Sequence, residues 1–197
     1  MSALRDLLQQ AVSSDVLKQV SQRLGADEGA IGNAVSSALP LLVNALAHKS
    51  AQPEGAQSLA VETADQDDSF LDDVAGFLGN AGSNTGEATV NNLLGQKREV
   101  AETALSNTSG LDIGKASQLL SMLAPVVMGA LSRMQKQQGL DANGLGQALQ
   151  NERQQMQASG NLGGLAQLLD RDGDGQITDD IAEMGAGILG NLMRGNK

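Results

Sequence analysis

Ala34-Val35-Ser36-Ser37-Ala38-Leu39-Pro40-Leu41-Leu42-Val43-Asn44-Ala45-Leu46 returns, once Pro40 is set on Pro125, as Leu119-Leu120-Ser121-Met122-Leu123-Ala124-Pro125-Val126-Val127-Met128-Gly129-Ala130-Leu131. In the first stretch Ala34, Val35, Ala38, Leu39, Leu42, Val43 and Leu46 fall at alternating steps of three and four. Leu119, Leu120, Leu123, Val126, Val127, Ala130, Leu131 and Met134 repeat the pattern. A stripe of that period lies along one side of an α-helix, so each stretch predicts a helix at the centre of a core. Pro40 and Pro125 sit inside the stripes, where proline removes an i→i−4 hydrogen bond and crowds the preceding turn. Each helix is therefore expected to kink or split at its proline.

The correspondence extends outward from the two stripes. Upstream, Val16 and Leu24-Gly25 correspond, with a one-residue slip, to Val100 and Ser109-Gly110. Downstream, Asp65 to Gly79 reads as a shortened version of Asp170 to Gly190. It keeps the Asp-Asp-aliphatic pair before a helix and lacks the loop glycine. The chain is therefore expected to consist of two related helical repeats. The first covers 1–79 and carries the degenerate acidic loop; the second covers 87–197 and carries an acidic loop and a C-terminal helix. Between them, 80–86 (Asn80-Ala81-Gly82-Ser83-Asn84-Thr85-Gly86) is small and polar and reads as a linker.

Composition agrees with an all-α, multihelical fold. Among 197 residues there are two Phe, no Trp, no Tyr and three Pro, so the core must be built from Leu, Ala, Val, Ile and Met. Many of the 24 glycines fall where helices should end, as at Gly25, Gly110 and Gly139. The pattern predicts helices near 2–12, 14–24, 28–49, 55–62, 71–79, 87–94, 97–107, 112–138, 141–156, 162–169 and 179–194. The formal charge of −10 argues against nucleic acid and anionic lipid as partners. With no cysteine there is no disulfide or thiolate chemistry. Arg5 and Asp6 stand where a signal peptide would be apolar, and no run of 18 apolar residues occurs. A cytoplasmic protein without stable membrane insertion is expected.

The acids are concentrated in two places, Asp65 to Asp73 and Asp170 to Glu183. In the second, Asp170-Arg171-Asp172-Gly173-Asp174-Gly175-Gln176-Ile177-Thr178-Asp179-Asp180 sets three carboxylates on alternate residues before a glycine. Ca²⁺ takes six to eight oxygens at about 2.3–2.6 Å, and such a turn lets carboxylates at positions 1, 3 and 5 converge on one ion. Asp170, Asp172 and Asp174 are the expected ligands, joined by the Gln176 carbonyl and by the Thr178 hydroxyl or a water. The last position of an EF-hand loop carries a bidentate Glu and is Ile181 here. Asp179, Asp180 or Glu183 must close the shell instead, which predicts weak binding, with Kd in the region of roughly 10⁻⁵–10⁻³ M. The competing reading is a solvated acidic turn that caps a helix.

The chain resembles a bacterial family, domain of unknown function 937, the YidB-like proteins. The resemblance rests on Gly25 to Leu46 with its Leu39-Pro40, Pro53-Glu54-Gly55-Ala56, Leu93-Leu94-Gly95-Gln96, Ser109-Gly110-Leu111, Leu123-Ala124-Pro125-Val126-Val127 and Leu169 to Ile181. It implies an all-helical bacterial protein in which the acidic loop recurs, with no catalytic residue to carry over.

Other motifs lead nowhere. Gly185 to Gly190 spells GxGxxG, yet the chain ends at Lys197, leaving no room for the acidic residue a dinucleotide fold needs. Gly114-Lys115 reads as a helix start. His48, beside Lys49, suits a helix C-terminus. Paired acids such as Asp72/Asp73 suit helix N-termini better than acid–base chemistry. The segment Ile181, Met184, Ile188, Leu189, Leu192, Met193 is apolar enough to dock on its own domain or on another chain. The leading functional expectation is a non-catalytic module that binds a protein partner or self-associates through apolar helical surface, with Ca²⁺ stapling the acidic loop. The alternative is a carboxylate-based hydrolase of unrecognised type, disfavoured because no nucleophile motif stands beside a usable base.

Overall fold

The computed structural model describes residues 3–80 and 83–158. The α-helices are α1 (Ala3–Ala11), α2 (Ser14–Leu24), α3 (Glu28–Ala51), α4 (Pro53–Ala64), α5 (Val74–Asn80), α6 (Ser83–Leu94), α7 (Arg98–Ser109), α8 (Ile113–Gln138) and α9 (Ala142–Ala158). Single 3₁₀ turns at Ser69–Asp73 and Gly95–Lys97 complete the described chain, which contains no strand. The fold is all-α and multihelical. The expected helices 162–169 and 179–194 lie outside the described residues. α6 begins at Ser83, so it takes up part of the small polar stretch 80–86.

Local chemistry sets the helix ends. Ser13 caps α2 by accepting from the Val16 amide at 3.4 Å. Asp27 caps α3 through the Gly29 and Ala30 amides at 2.8 and 3.2 Å, and Asp112 caps α8 through the Lys115 amide at 2.9 Å. Pro53 opens α4, where its missing amide costs nothing. Gly25 and Gly110 end α2 and α7 in the left-handed region, at φ 57° and 75°, where a β-carbon would be strained.

The turns α2–α3 and α7–α8 match bond for bond. The Ser21 hydroxyl donates to the Ala26 carbonyl at 2.6 Å, and Ser106 donates to Leu111 at 2.6 Å. In each turn the glycine stands four places after the serine and the capping aspartate six places after it. Ser21, Gly25 and Asp27 therefore fall on Ser106, Gly110 and Asp112 in the register that sets Pro40 on Pro125, with no slip. About two turns into each long helix, Ser36 donates to the Gly32 carbonyl and Ser121 to the Ser117 carbonyl, two bonds that coincide in the same register.

α3 and α8 carry the core. α8 is buried on nearly every side, from Ala116 to Gln135, beneath α1, α2, α4, α6 and α7. α3 buries Ile31, Ala34, Val35, Ala38, Leu42, Val43, Leu46 and Ala47 against α2, α4, α6, α7, α8 and α9. Each fully buried Leu contributes about 1.5–3 kcal/mol of transfer free energy. Both helices are long and apolar enough by composition to cross a membrane, yet in this fold they are the central helices of a packed domain. Neither splits at its proline: Pro40 and Pro125 lie within single unbroken helices. What each proline does remove is the amide that would have bonded to the carbonyl four places earlier, on Ser36 and on Ser121.

α6 uses that feature. A β-carbon on Gly86 would lie 1.9 Å from the Ser121 carbonyl oxygen, so the two backbones touch where Pro125 has left that oxygen without its helical donor. The Gly86 Cα–H points at the oxygen, a contact worth about 0.5–1 kcal/mol.

Candidate functional site

The expected Ca²⁺ ligands Asp170, Asp172, Asp174, Gln176, Thr178, Asp179, Asp180 and Glu183 all lie outside the described residues. The shorter acidic stretch is described, and two of its five acids, Asp68 and Asp72, are paired with cations of α8. Arg133 on α8 donates from Nε to Asp68 at 3.0 Å and from Nη1 to Asp72 at 2.9 Å, while Lys136 reaches Asp68 at 2.8 Å. The Arg133 Nη2 and the Ser132 hydroxyl hold the backbone carbonyls of Asp68 and Gln66. Phe70 stacks on Phe77 at 4.2 Å and presses on Gly129, where any β-carbon would meet the ring at 2.5 Å. Asp73 caps the following helix by accepting from the Gly76 amide at 2.9 Å.

The Lys136 ammonium, ahead of the Arg133 guanidinium, holds the Asp68 carboxyl below the ordinary carboxylate range, although burial pushes it up. A depressed folded-state pKa contributes stability that is present above the unfolded value of about 3.9 and is lost as pH falls through the folded value. Arg133→Met should therefore cost about 1–2 kcal/mol at neutral pH, as a part-buried charged network. It should also flatten the acid limb of the stability curve. Denaturant melts at pH 7 and pH 3 check this, and equal losses at both would show that the clamp contributes nothing through charge.

Among the described residues no group of three or more His, Asp or Glu side chains is arranged to hold a metal ion. His48 is exposed in the last turns of α3, and Lys49 beside it bonds to Glu62 and Asn92, both at 3.1 Å. Lys115 stands at the capped start of α8, where its ammonium reaches the Gly25 carbonyl at 3.3 Å.

Two features of the structure have no counterpart in the sequence reading. Glu152 on α9 is only 3% exposed, and burial pushes its carboxyl up while Arg5 pulls the other way and Asp6 adds to the rise. One turn along α9, Met156 forms one wall of an open groove of about 360 Å³ between α1, α3 and α9. Arg5, Leu8 and Gln9 line it from α1 and Val12 from the turn after it, and Val35, Leu39 and Val43 line it from α3, with Ser36 and Pro40 between them. Val35, Leu39 and Val43 recur at every fourth position, one ridge of the stripe that periodicity assigns to the core. Leu39 and Pro40 are half-buried and Ser36 is exposed.

The architecture is that of an all-helical domain whose described surface offers a mainly apolar groove and an acidic loop held by Arg133 and Lys136. A family model described as a bacterial protein of unknown function, DUF937, matches residues 6–134, and the chain belongs to that family. The match takes in both capped turns and both proline helices up to Met134; Leu169 to Ile181 lies beyond it. No curated protein and no solved structure matches the chain.

Proposed function

We propose that this protein is a non-catalytic helical module that binds a protein partner through the α1–α3–α9 groove, with a structural Ca²⁺ site in residues 170–183. The groove is the observation that carries the reading. Its walls are mainly apolar, with Arg5, Gln9 and Ser36 as the polar lining, and covering the apolar part returns about 25 cal/mol per Å² removed from water. The Arg133–Asp68–Lys136 cluster closes its charges on one another, which supports a binding or structural role over a chemical one there. A photo-crosslinking residue at Leu39, placed in cells, should give discrete protein adducts that vanish with Ser36→Trp and are absent from the exposed Glu99. Identical patterns at positions 39 and 99 would sink the reading. A carboxylate hydrolase would have to start from Glu152, the described carboxylate that burial raises, and Glu152→Gln is its direct test.

The Ca²⁺ site draws on donor chemistry and charge. Asp170, Asp172 and Asp174, the Gln176 carbonyl, Thr178, and one of Asp179, Asp180 or Glu183 make a set of hard oxygens suited to Ca²⁺. Within 65–73, Asp68 and Asp72 are paired with Arg133 and Lys136. Within 170–183 the one cation is Arg171, so a bound ion would supply the missing charge. Calorimetric titration of metal-stripped protein should show saturation near one equivalent of Ca²⁺, lost in Asp172→Ala and Asp174→Ala. Flat heats with an unchanged Tm would remove calcium from the reading.

A further inference from the structure

Along α9 the buried residues Leu145, Leu149, Glu152 and Met156 follow one another at steps of four, three and four. Glu152 therefore holds a place in the stripe that packing would give to an aliphatic side chain. A carboxyl removed from water in this way is costly when ionised and far less so when protonated. Besides burial, what acts on it is charge. Arg5 on α1 favours the ionised form, Asp6 on α1 opposes it, and the amino terminus sides with Arg5. α3 and α4 also pack on α9. Their titratable groups, beyond Glu28 at the far end of α3, are His48 and Glu54, both exposed, and Lys49 and Glu62, paired with each other at 3.1 Å.

The nearest charges thus belong to α1. At nine residues this helix is too short to persist alone, and it keeps its place by burying Leu4, Leu8 and Ala11. It also forms one wall of the groove, across from Met156, one turn beyond Glu152. Short elements held by few buried contacts are the first to open. We propose that Glu152 makes the seating of α1 proton-dependent: α1 is held firmly while the carboxyl is protonated and, once it is ionised, is the first element to leave, opening the groove wall. The attraction of Arg5 for the ionised form limits the effect. The sign follows from burial. A carboxyl kept neutral by the folded structure lends stability that is full below the ordinary value of about 4.3 and is lost as pH rises through the raised folded value. Asp68 has the opposite sign, so the two are separable. The inference concerns a wall of the groove and not its occupant, so it stands or falls apart from the partner-binding role.

Amide protection in the full chain tests it. Between about pH 4 and about pH 8, protection of Leu8 on α1, read against Val20 on α2, should fall at least about threefold in the parent and stay level in Glu152→Gln. Arg5→Gln should deepen the fall in the parent and leave the Glu152→Gln profile level. A level parent profile, a fall that persists in Glu152→Gln, or equal losses at Leu8 and Val20 would overturn the proposal. Glu152→Met, of similar volume and never ionised, serves if the glutamine variant does not fold. Failure of both to fold would also overturn it, because a neutral side chain would then suit the site less well than the carboxyl does.

Discussion

Leu42→Ala should destabilise the protein by about 2–5 kcal/mol, while Leu39→Ala, one turn away in the same helix, should cost no more than about half as much. Leu42 is fully buried between α3 and its neighbours, so truncation leaves a cavity that close-packed walls cannot refill. Leu39 is half-buried on an open groove, so its truncation removes less buried surface and leaves a space that water can enter. The comparison, by urea melts of both variants with the parent, separates core from groove on one helix. Equal losses would mean that Leu39 is covered in solution and the groove is closed.

Gly86→Ala is expected to cost about 1–3 kcal/mol, although alanine is the better helix former by about 1 kcal/mol. The added methyl would have to sit 1.9 Å from a backbone oxygen, and neither helix can yield as a flexible side chain would. α6 must lift from α8 or bend, forfeiting packing around Val90 and Leu93, both buried. Gly32, with open space around its β-carbon position, is the control. Gly32→Ala should be neutral or stabilising, and thermal melts of the two variants should move in opposite directions. A Gly86→Ala melt that rises would show that the close approach of α6 to Ser121 does not exist in solution.

Helices, their order and most of their ends are legible in the chain because period, caps and glycines all point the same way. The expected helices 28–49 and 112–138 correspond to Glu28–Ala51 and Ile113–Gln138. Proline taken locally is a break, whereas burial on both sides of Pro40 and Pro125 holds the helices continuous and turns each proline into the source of a bare carbonyl. The groove is not legible. Periodicity tells which residues of α3 share a face, but not whether a second helix finishes covering it; Val35, Leu39 and Val43 look the same in either case. The clamp on Asp68 is half visible, as acids at 68 and 72 and cations at 133 and 136, each pair spaced to one helical face. Their meeting depends on how the loop packs on α8, which no local signal encodes. The acids of 170–183 are legible as candidate ligands, and they lie outside the described residues.

α9 lies against α3, and α4 lies against α8, so each half completes the other's packing. A ribosome therefore releases α3 long before the helices that cover it. At about 5–20 residues per second, the roughly one hundred residues separating α3 from α9 take on the order of 5–20 s to synthesise. Until α6, α7 and α8 emerge in turn, the aliphatic stripe of α3 has only α2 and α4 among these neighbours to rest on, and its α9 side is covered last. The nascent N-terminal half is thus the aggregation-prone species of this protein, and slowing translation between α5 and α9 should lower its soluble yield rather than raise it.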